Sequence, residues 1–151
     1  PLPYTITYHD YQDQDYRSLV KMFMMLWHDT TAEEIELLLN NTLSGSPQKV
    51  ILAKNVQHEN IGFAYFTIRT DYVEGAKQSP TGYLEGIFVE ESYRKMGVAK
   101  KFIQLGEAWV KSKGCTQLGS DTWLSDTNSR RFHKKMGFWE EDELVHFLKD
   151  I

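Results

Sequence analysis

The stretch from Tyr83 to Thr122 constrains the fold most. It reads as an apolar strand, Tyr83 to Val89, then a charged turn, a helix from Gly97 to Lys113, and a second strand from Gln117 to Thr122. Strand, helix and strand in that order predict a right-handed crossover between parallel neighbours, with ligands at the carboxyl ends of those strands. Upstream, Tyr4 to His9 alternates as a short strand, and Asp13 or Asp15 is placed to cap a helix running to about Trp27. Thr31 with Glu34 resembles a capping box, opening a second helix with Ile35, Leu38, Leu39 and Leu43 on one face before Ser44-Gly45-Ser46-Pro47 ends it. Lys49 to Val56 and Ile61 to Arg69 predict a hairpin around Gln57-His58-Glu59-Asn60, and Asp71 to Thr81 a functional loop. Asp126 to Met136 predicts a helix, and Trp139 to Lys149 one or two closing strands. The alternation is that of an α/β chain of mixed α+β character, with a single domain over residues 1–151.

Composition narrows the function. With 41% hydrophobic residues among 151, one core is expected. A formal charge of −4 argues against nucleic acid and favours a cationic partner. Cys115 is the only cysteine, and no CxxC or HExxH spacing exists, so neither a disulfide framework nor a metal is expected. No run of eighteen apolar residues suggests a membrane span, and Pro1-Leu2-Pro3-Tyr4 lacks the regions of a secretory signal, so the expectation is a soluble cytoplasmic protein.

The segment Gly86 to Ala99 carries the chemistry. An apolar strand feeds a turn, Arg94-Lys95-Met96-Gly97, that opens a long helix. Small residues at Gly97 and Ala99 let backbone amides approach a bulky anion, and the N–H groups of a helix start favour a diphosphate. Arg94, Lys95, Lys100 and Lys101 surround that opening with positive charge in an otherwise acidic chain. The lysine and hydroxyl residue of a Walker motif are missing, and one glycine between Met96 and Lys101 fails the dinucleotide fingerprint, which disfavours a nucleotide hydrolase or a Rossmann site.

Arg94 to Ala99, preceded by Leu84 to Val89 and followed by a helix ending at Gly137-Phe138, resembles the Gcn5-related N-acetyltransferase superfamily. The resemblance implies a mixed, splayed sheet with acetyl coenzyme A as co-substrate. Amides from Lys95 through Met96, Gly97, Val98 and Ala99 to Lys100 would surround the diphosphate, and the backbone of Ile87, Phe88 and Val89 would lie along the pantetheine. A wider set, Trp27, Asp71-Tyr72-Val73-Glu74-Gly75, Leu84 to Val89, Gly97 to Lys100, Lys113-Gly114-Cys115, Ser120-Asp121-Thr122 and Gly137-Phe138, is similar to type I aminoglycoside 6'-N-acetyltransferases. Where those enzymes contact the cofactor through an asparagine, this chain has Asp126, with Asn128 two positions on, and His133 stands where many superfamily members carry a tyrosine general acid.

Acetyl transfer needs an uncharged amine, a donor to the thioester oxygen and a proton for the departing sulfur. Asp121 is expected as the principal base or proton relay and Glu85 as a second carboxylate, since a charge inside the apolar run Leu84 to Val89 needs a reason. Asp71, Glu74, Glu85, Asp121, Asp142 and Glu143 are candidates for an acidic ring around a polycation such as an aminoglycoside, with Trp27 and Tyr72 offering flat faces to its sugars. His133 is the candidate acid, and Cys115 is read as a small buried side chain rather than an acyl carrier. The resemblance further implies a strand bulge that frees the amide of Val89 or its neighbours for the oxyanion, and a homodimer, which would also cover an exposed edge in the closing strands. Two other readings stay open: the same fold acetylating a polyamine, a protein N-terminus or a lysine, and a non-catalytic coenzyme A sensor.

Overall fold

The computed structural model describes residues 5–42 and 47–151. One five-stranded sheet runs in the order β1-β2-β3-β4-β5, built from β1 (Thr7–Asp10), β2 (Gln48–Lys54), β3 (Asn60–Arg69), β4 (Thr81–Val89) and β5 (Leu118–Ser120). The first four strands form an antiparallel meander, and β5 lies parallel to β4. Among the described residues four α-helices complete the fold: α1 (Tyr16–Leu26), α2 (Ala32–Thr42), α3 (Val98–Ser112) and α4 (Thr127–Lys135).

Each face of the sheet buries a different helical stripe. On one, Leu19, Met22 and Phe23 of α1 and Ile35 and Leu39 of α2 meet Phe63, Tyr65 and Phe88. On the other, Val98, Phe102 and Ile103 of α3 meet Ala64, Phe66 and Leu84. The spacings i, i+3, i+4 place these residues in single stripes, and at about 2 kcal/mol per buried side chain such packing outweighs helix propensity. Thr31 Oγ1 accepts from the Glu34 amide at 3.2 Å, the first half of the expected capping box. Leu43 and Ser44-Gly45-Ser46, like Pro1 to Tyr4, lie outside the described residues.

Several boundaries move. The hairpin turn begins earlier than expected and spans residues 55–59, because the Asn55 carboxamide oxygen accepts from the amides of Gln57 and Glu59 and ends β2 at Lys54. The second crossover strand shrinks to three residues, and it pairs with β4 only from Gly82↔Leu118 to Leu84↔Ser120. The closing strands do not form: residues 138–151 carry no regular structure. Alternation alone does not make a strand, which needs a neighbour to take its hydrogen bonds. Here Leu144, Val145, Phe147 and Leu148 are all at least 75% exposed. The root of this tail is held to α4 by a fork from Arg130 Nε and Nη2 to Glu140, each at 2.9 Å. Arg130 and then Lys134 pull the Glu140 carboxyl down to about 2.

Candidate active site

The turn after β4 has the backbone its sequence predicts. Lys95 and Gly97 both adopt positive φ, 63° and 82°, and Gly97 N-caps α3 in the left-handed region. That conformation, not crowding, is what calls for glycine here, because a Cβ on Gly97 would meet nothing within 4 Å. The helix start has no side-chain cap, so its amides are left for a ligand. Arg94 folds back to donate from Nε to the Val89 carbonyl at 2.8 Å, closing the turn on β4. A groove of about 650 Å³ runs beside it along α1, where Arg17 and Lys21 add positive charge. An uncapped helix start ringed by cations fits the diphosphate of coenzyme A.

Past Leu84↔Ser120 the two central strands part, and β4 runs on to Val89 paired with β3 on one side and not with β5 on the other. At the same place the β3–β4 ladder slips: Tyr65 pairs with Gly86 but Phe66 pairs with Leu84, so Glu85 is an extra, bulged residue. The resemblance implied freed amides around Val89: the Glu90 amide donates to the Ile61 carbonyl at 2.8 Å, so Val89, opposite Gly62, turns its own amide away from β3 to the side where β5 has ended, while the bulge itself sits four residues earlier. As a result Glu85 and Gly86 both point to the α1 face. Gly86 is the seat of Trp27, whose ring edge would lie 3.2 Å from a Cβ there. Trp27 also packs on Phe23, with ring centroids 4.9 Å apart, so it is half-buried wall and not a free platform.

Glu85 is fully engaged. Arg69 Nε and Nη2 donate to its two oxygens at 2.9 Å each, and Thr67 Oγ1 adds a third bond at 2.7 Å. The Arg69 guanidinium lies 3.4 Å over the Tyr83 ring. Burial works against its charge, but the Glu85 bond and the charges of Glu85, Tyr83 and Asp121 together outweigh this and leave Arg69 more basic than usual. Tyr83 OH in turn donates to Asp121 Oδ2 at 2.5 Å. Burial first, and then this bond, push the Tyr83 phenol well above its ordinary range, so it stays a donor. Asp121, just beyond β5, is exposed, and among the described residues only Tyr83 bonds to it. Among the described residues its Oδ1 takes no hydrogen bond.

His133 is wedged between Phe132 and Phe138. Its Nδ1 lies 2.8 Å from the Ser129 carbonyl, and its Nε2 lies 2.7 Å from Ser120 Oγ. Asp126 N-caps α4, accepting from the Ser129 amide at 2.9 Å, while Asn128 Oδ1 meets Arg131 at 3.5 Å. A carboxylate already committed to a cap is poorly suited to phosphates. Asp71, Tyr72, Glu74, Asp142 and Glu143 are exposed, and among the described residues none bonds to Glu85 or Asp121. The Glu141 side chain does lie over Gly75, which brings the tail against the Asp71 to Thr81 loop. Cys115 is 3% exposed, and burial raises its thiol, as suits a packing residue.

Sequence reasoning missed Thr67, Arg69, Tyr83 and Ser120. A signal existed for three of them: Thr67 and Arg69 share the parity of one strand, Tyr83 that of its neighbour, and all precede a charge that needed a partner. Together the groups offer a diphosphate grip, a slot between parting strands, an acceptor at Asp121 and a hydroxyl–imidazole pair at the apex.

The model of the acetyltransferase (GNAT) family matches residues 8–138. An aminoglycoside N(6')-acetyltransferase type 1 from Acinetobacter genomosp. 13 is 36% identical over 130 residues, covering 84% of this chain and 86% of the relative. Among solved structures, the aminoglycoside N-acetyltransferase AAC(6')-Iy in complex with CoA matches with a TM-score of 0.92 and 29% identity, covering 100% of this chain and 99% of that one. The same enzyme with the bisubstrate analog CoA-S-monomethyl-acetylneamine matches with a TM-score of 0.89 and 29% identity, covering 97% and 99%.

Proposed function

The chain belongs to the acetyltransferase (GNAT) family, and from that premise we propose that residues 1–151 form one domain that moves the acetyl group of acetyl coenzyme A onto the 6'-amine of aminoglycoside antibiotics. When bound, acetyl coenzyme A supplies the activated thioester. The protein supplies position, charge and proton transfer. Amides from Lys95 to Lys100 hold the diphosphate at the uncapped start of α3, and the backbone from Ile87 to Val89 guides the pantetheine arm. In this reading the Val89 amide, on the side of β4 that β5 has left, bonds the carbonyl oxygen.

Asp121 is the observation that carries this reading. One of its oxygens is fixed by Tyr83 at 2.5 Å and, among the described residues, the other takes no bond, so it binds an ammonium and then takes its proton, directly or through water. Glu85, forked by Arg69, contributes to the local potential and not as a free base. Trp27 supports the sugar rings from the wall, Asp71, Tyr72 and Asp142 receive the outer amines, and His133 supplies the proton for the departing sulfur. The substrate class is supported by the formal charge of −4 and by the name of the Acinetobacter relative.

Thiol release is measured with kanamycin-like and tobramycin-like substrates, with and without a 6'-amine. Release only with the 6'-amine, and loss of most turnover in Asp121→Ala, are the expected results. A protein that binds acetyl coenzyme A but frees no thiol with any aminoglycoside, and confers no resistance on cells, would end the reading.

We also propose a homodimer, because the apolar side chains at 144–148 find no cover in their own chain. Sedimentation as a monomer at micromolar concentration would contradict it. Among the described residues no helix is long and apolar enough to cross a membrane, which accords with action in the cytoplasm, where acetyl coenzyme A is available.

A further inference from the structure

Ser120 is the last residue of β5, paired with Leu84 at the step where β4 and β5 separate. Its hydroxyl lies 2.7 Å from His133 Nε2 and 3.4 Å from the Leu84 carbonyl. His133 Nδ1 faces the Ser129 carbonyl at 2.8 Å, and a carbonyl only accepts, so Nδ1 carries a proton in both charge states of the ring. Nε2 is therefore the nitrogen that gains and loses a proton, and it does so against a single hydroxyl. Among the described residues its other ring and hydrogen-bond partners are the Phe132 and Phe138 side chains and Ser129 Oγ at 3.4 Å, and none of these carries charge.

This wiring has two states. With His133 neutral, Ser120 donates its hydroxyl proton to Nε2. With His133 protonated, Nε2–H donates to Ser120 Oγ, and the hydroxyl proton is released toward the Leu84 carbonyl and the opening of the slot. An arm lying along β4 from the α3 turn, past Val89 and back toward Leu84, would end near this apex, with His133 behind the Ser120 hydroxyl.

Resting on the acetyl-transfer reading above, we propose that Ser120 is the group that hands a proton to the departing sulfur, with His133 as its reservoir. As the carbon–sulfur bond breaks and its electron pair stays on sulfur, Ser120 passes its hydroxyl proton to that sulfur. Ser120 Oγ takes the Nε2 proton of His133 in the same movement, leaving the neutral ring with its proton on Nδ1. Solvent then reloads Nε2; Asp121, once it has passed the ammonium's proton on to solvent, takes the proton lost by the attacking amine, so the account balances. Ser120 is catalytic in this scheme, and His133 acts through it.

The test begins with binding and not turnover. Free coenzyme A is bound to the native protein, and the ionised fraction of its thiol is followed by difference absorbance across pH. A hydroxyl donating to sulfur favours the thiolate. Ser120→Ala is expected to lower the thiolate fraction about tenfold at a given pH, and Ser120→Thr, which keeps a hydroxyl, is expected to recover most of it. Desulfo-coenzyme A should bind native protein and Ser120→Ala alike, showing that the site is intact. In single-turnover acetyl transfer, Ser120→Ala and His133→Gln should each slow the step, and the double variant should be no slower than either alone. Unchanged thiolate fractions in Ser120→Ala, or additive losses in the double variant, would overturn the relay. If the native protein acetylates no aminoglycoside, the substrate assignment fails while the thiol titration still decides the role of Ser120.

Discussion

Two polar clusters flank the same sheet, and they are built to opposite rules. Under the β2–β3 hairpin, Asp15 is 2% exposed. It accepts from the Gln12 amide at 3.0 Å and from Asn60 Nδ2 at 3.1 Å, with His9 Nε2 at 3.6 Å and Lys54 Nζ at 3.9 Å. Burial alone would raise its carboxyl, but the Asn60 and Gln12 bonds and the two neighbouring bases more than offset this and hold it below its ordinary value of 3.8. Asp121, where β4 and β5 part, is exposed and has one described partner. A buried carboxylate bonded through both oxygens is a structural joint, whereas an exposed one held by a single oxygen is oriented and still able to react. Glu85 stands between them: it lies in the site, but Arg69 and Thr67 have saturated it.

The contrast is tested most severely by Asp121→Asn. The catalytic rate should fall about 10²- to 10⁴-fold, while the unfolding free energy in urea stays within about 0.5 kcal/mol of native. Asp15→Ala should show the reverse: a loss of about 2–4 kcal/mol in urea unfolding, with the activity of the folded fraction retained. Because the Asp15 carboxyl is depressed in the folded state, its contribution is full above the unfolded value and disappears as pH falls through the folded one. The stability gap between native and Asp15→Ala should therefore close at pH values below about 4. Tyr83→Phe keeps the ring under Arg69 but frees Asp121 to swing, and should lower the rate about tenfold with little change in KM. Arg69→Gln is the mildest, since its side chain is 39% exposed. It should cost under about 1 kcal/mol of stability and, by releasing the charge of Glu85 into the cleft, lower the KM of a polycationic acceptor two- to threefold, roughly 0.5 kcal/mol. A Glu85→Gln rate loss as large as that of Asp121→Asn would dissolve the distinction drawn between the two acids.

What was legible in the sequence was local. The strand into Gly97, the helix behind it and the cap at Thr31 depend on residues within a few positions of each other, where periodicity and φ preference speak directly. Asp121 was legible as a residue at a strand end. Its fixing by Tyr83 was not, because 38 residues separate the two in the chain. Nor was the capture of Glu85 by Arg69, 16 residues away across a ladder whose register depends on a bulge. A bulge is one residue out of phase, and an apolar run such as Leu84 to Val89 has no alternation in which a phase change could show. The tail failed for a different reason: apolar residues at 144–148 state a preference for burial without naming the surface that provides it.

The bulge at Glu85 divides β4 into two halves of opposite phase. Upstream, Tyr83 looks toward α1 from an odd position; downstream, Gly86 and Phe88 do so from even ones. The strand thus works as a coupling between two separately indexed parts, one setting the acid–base groups and the other the wall under Trp27. Point changes on either half leave that indexing intact. Loss of a single residue at the join would turn one half over, sending Tyr83 into the apolar face or Leu84 into the cleft, and no side-chain replacement could restore the alignment.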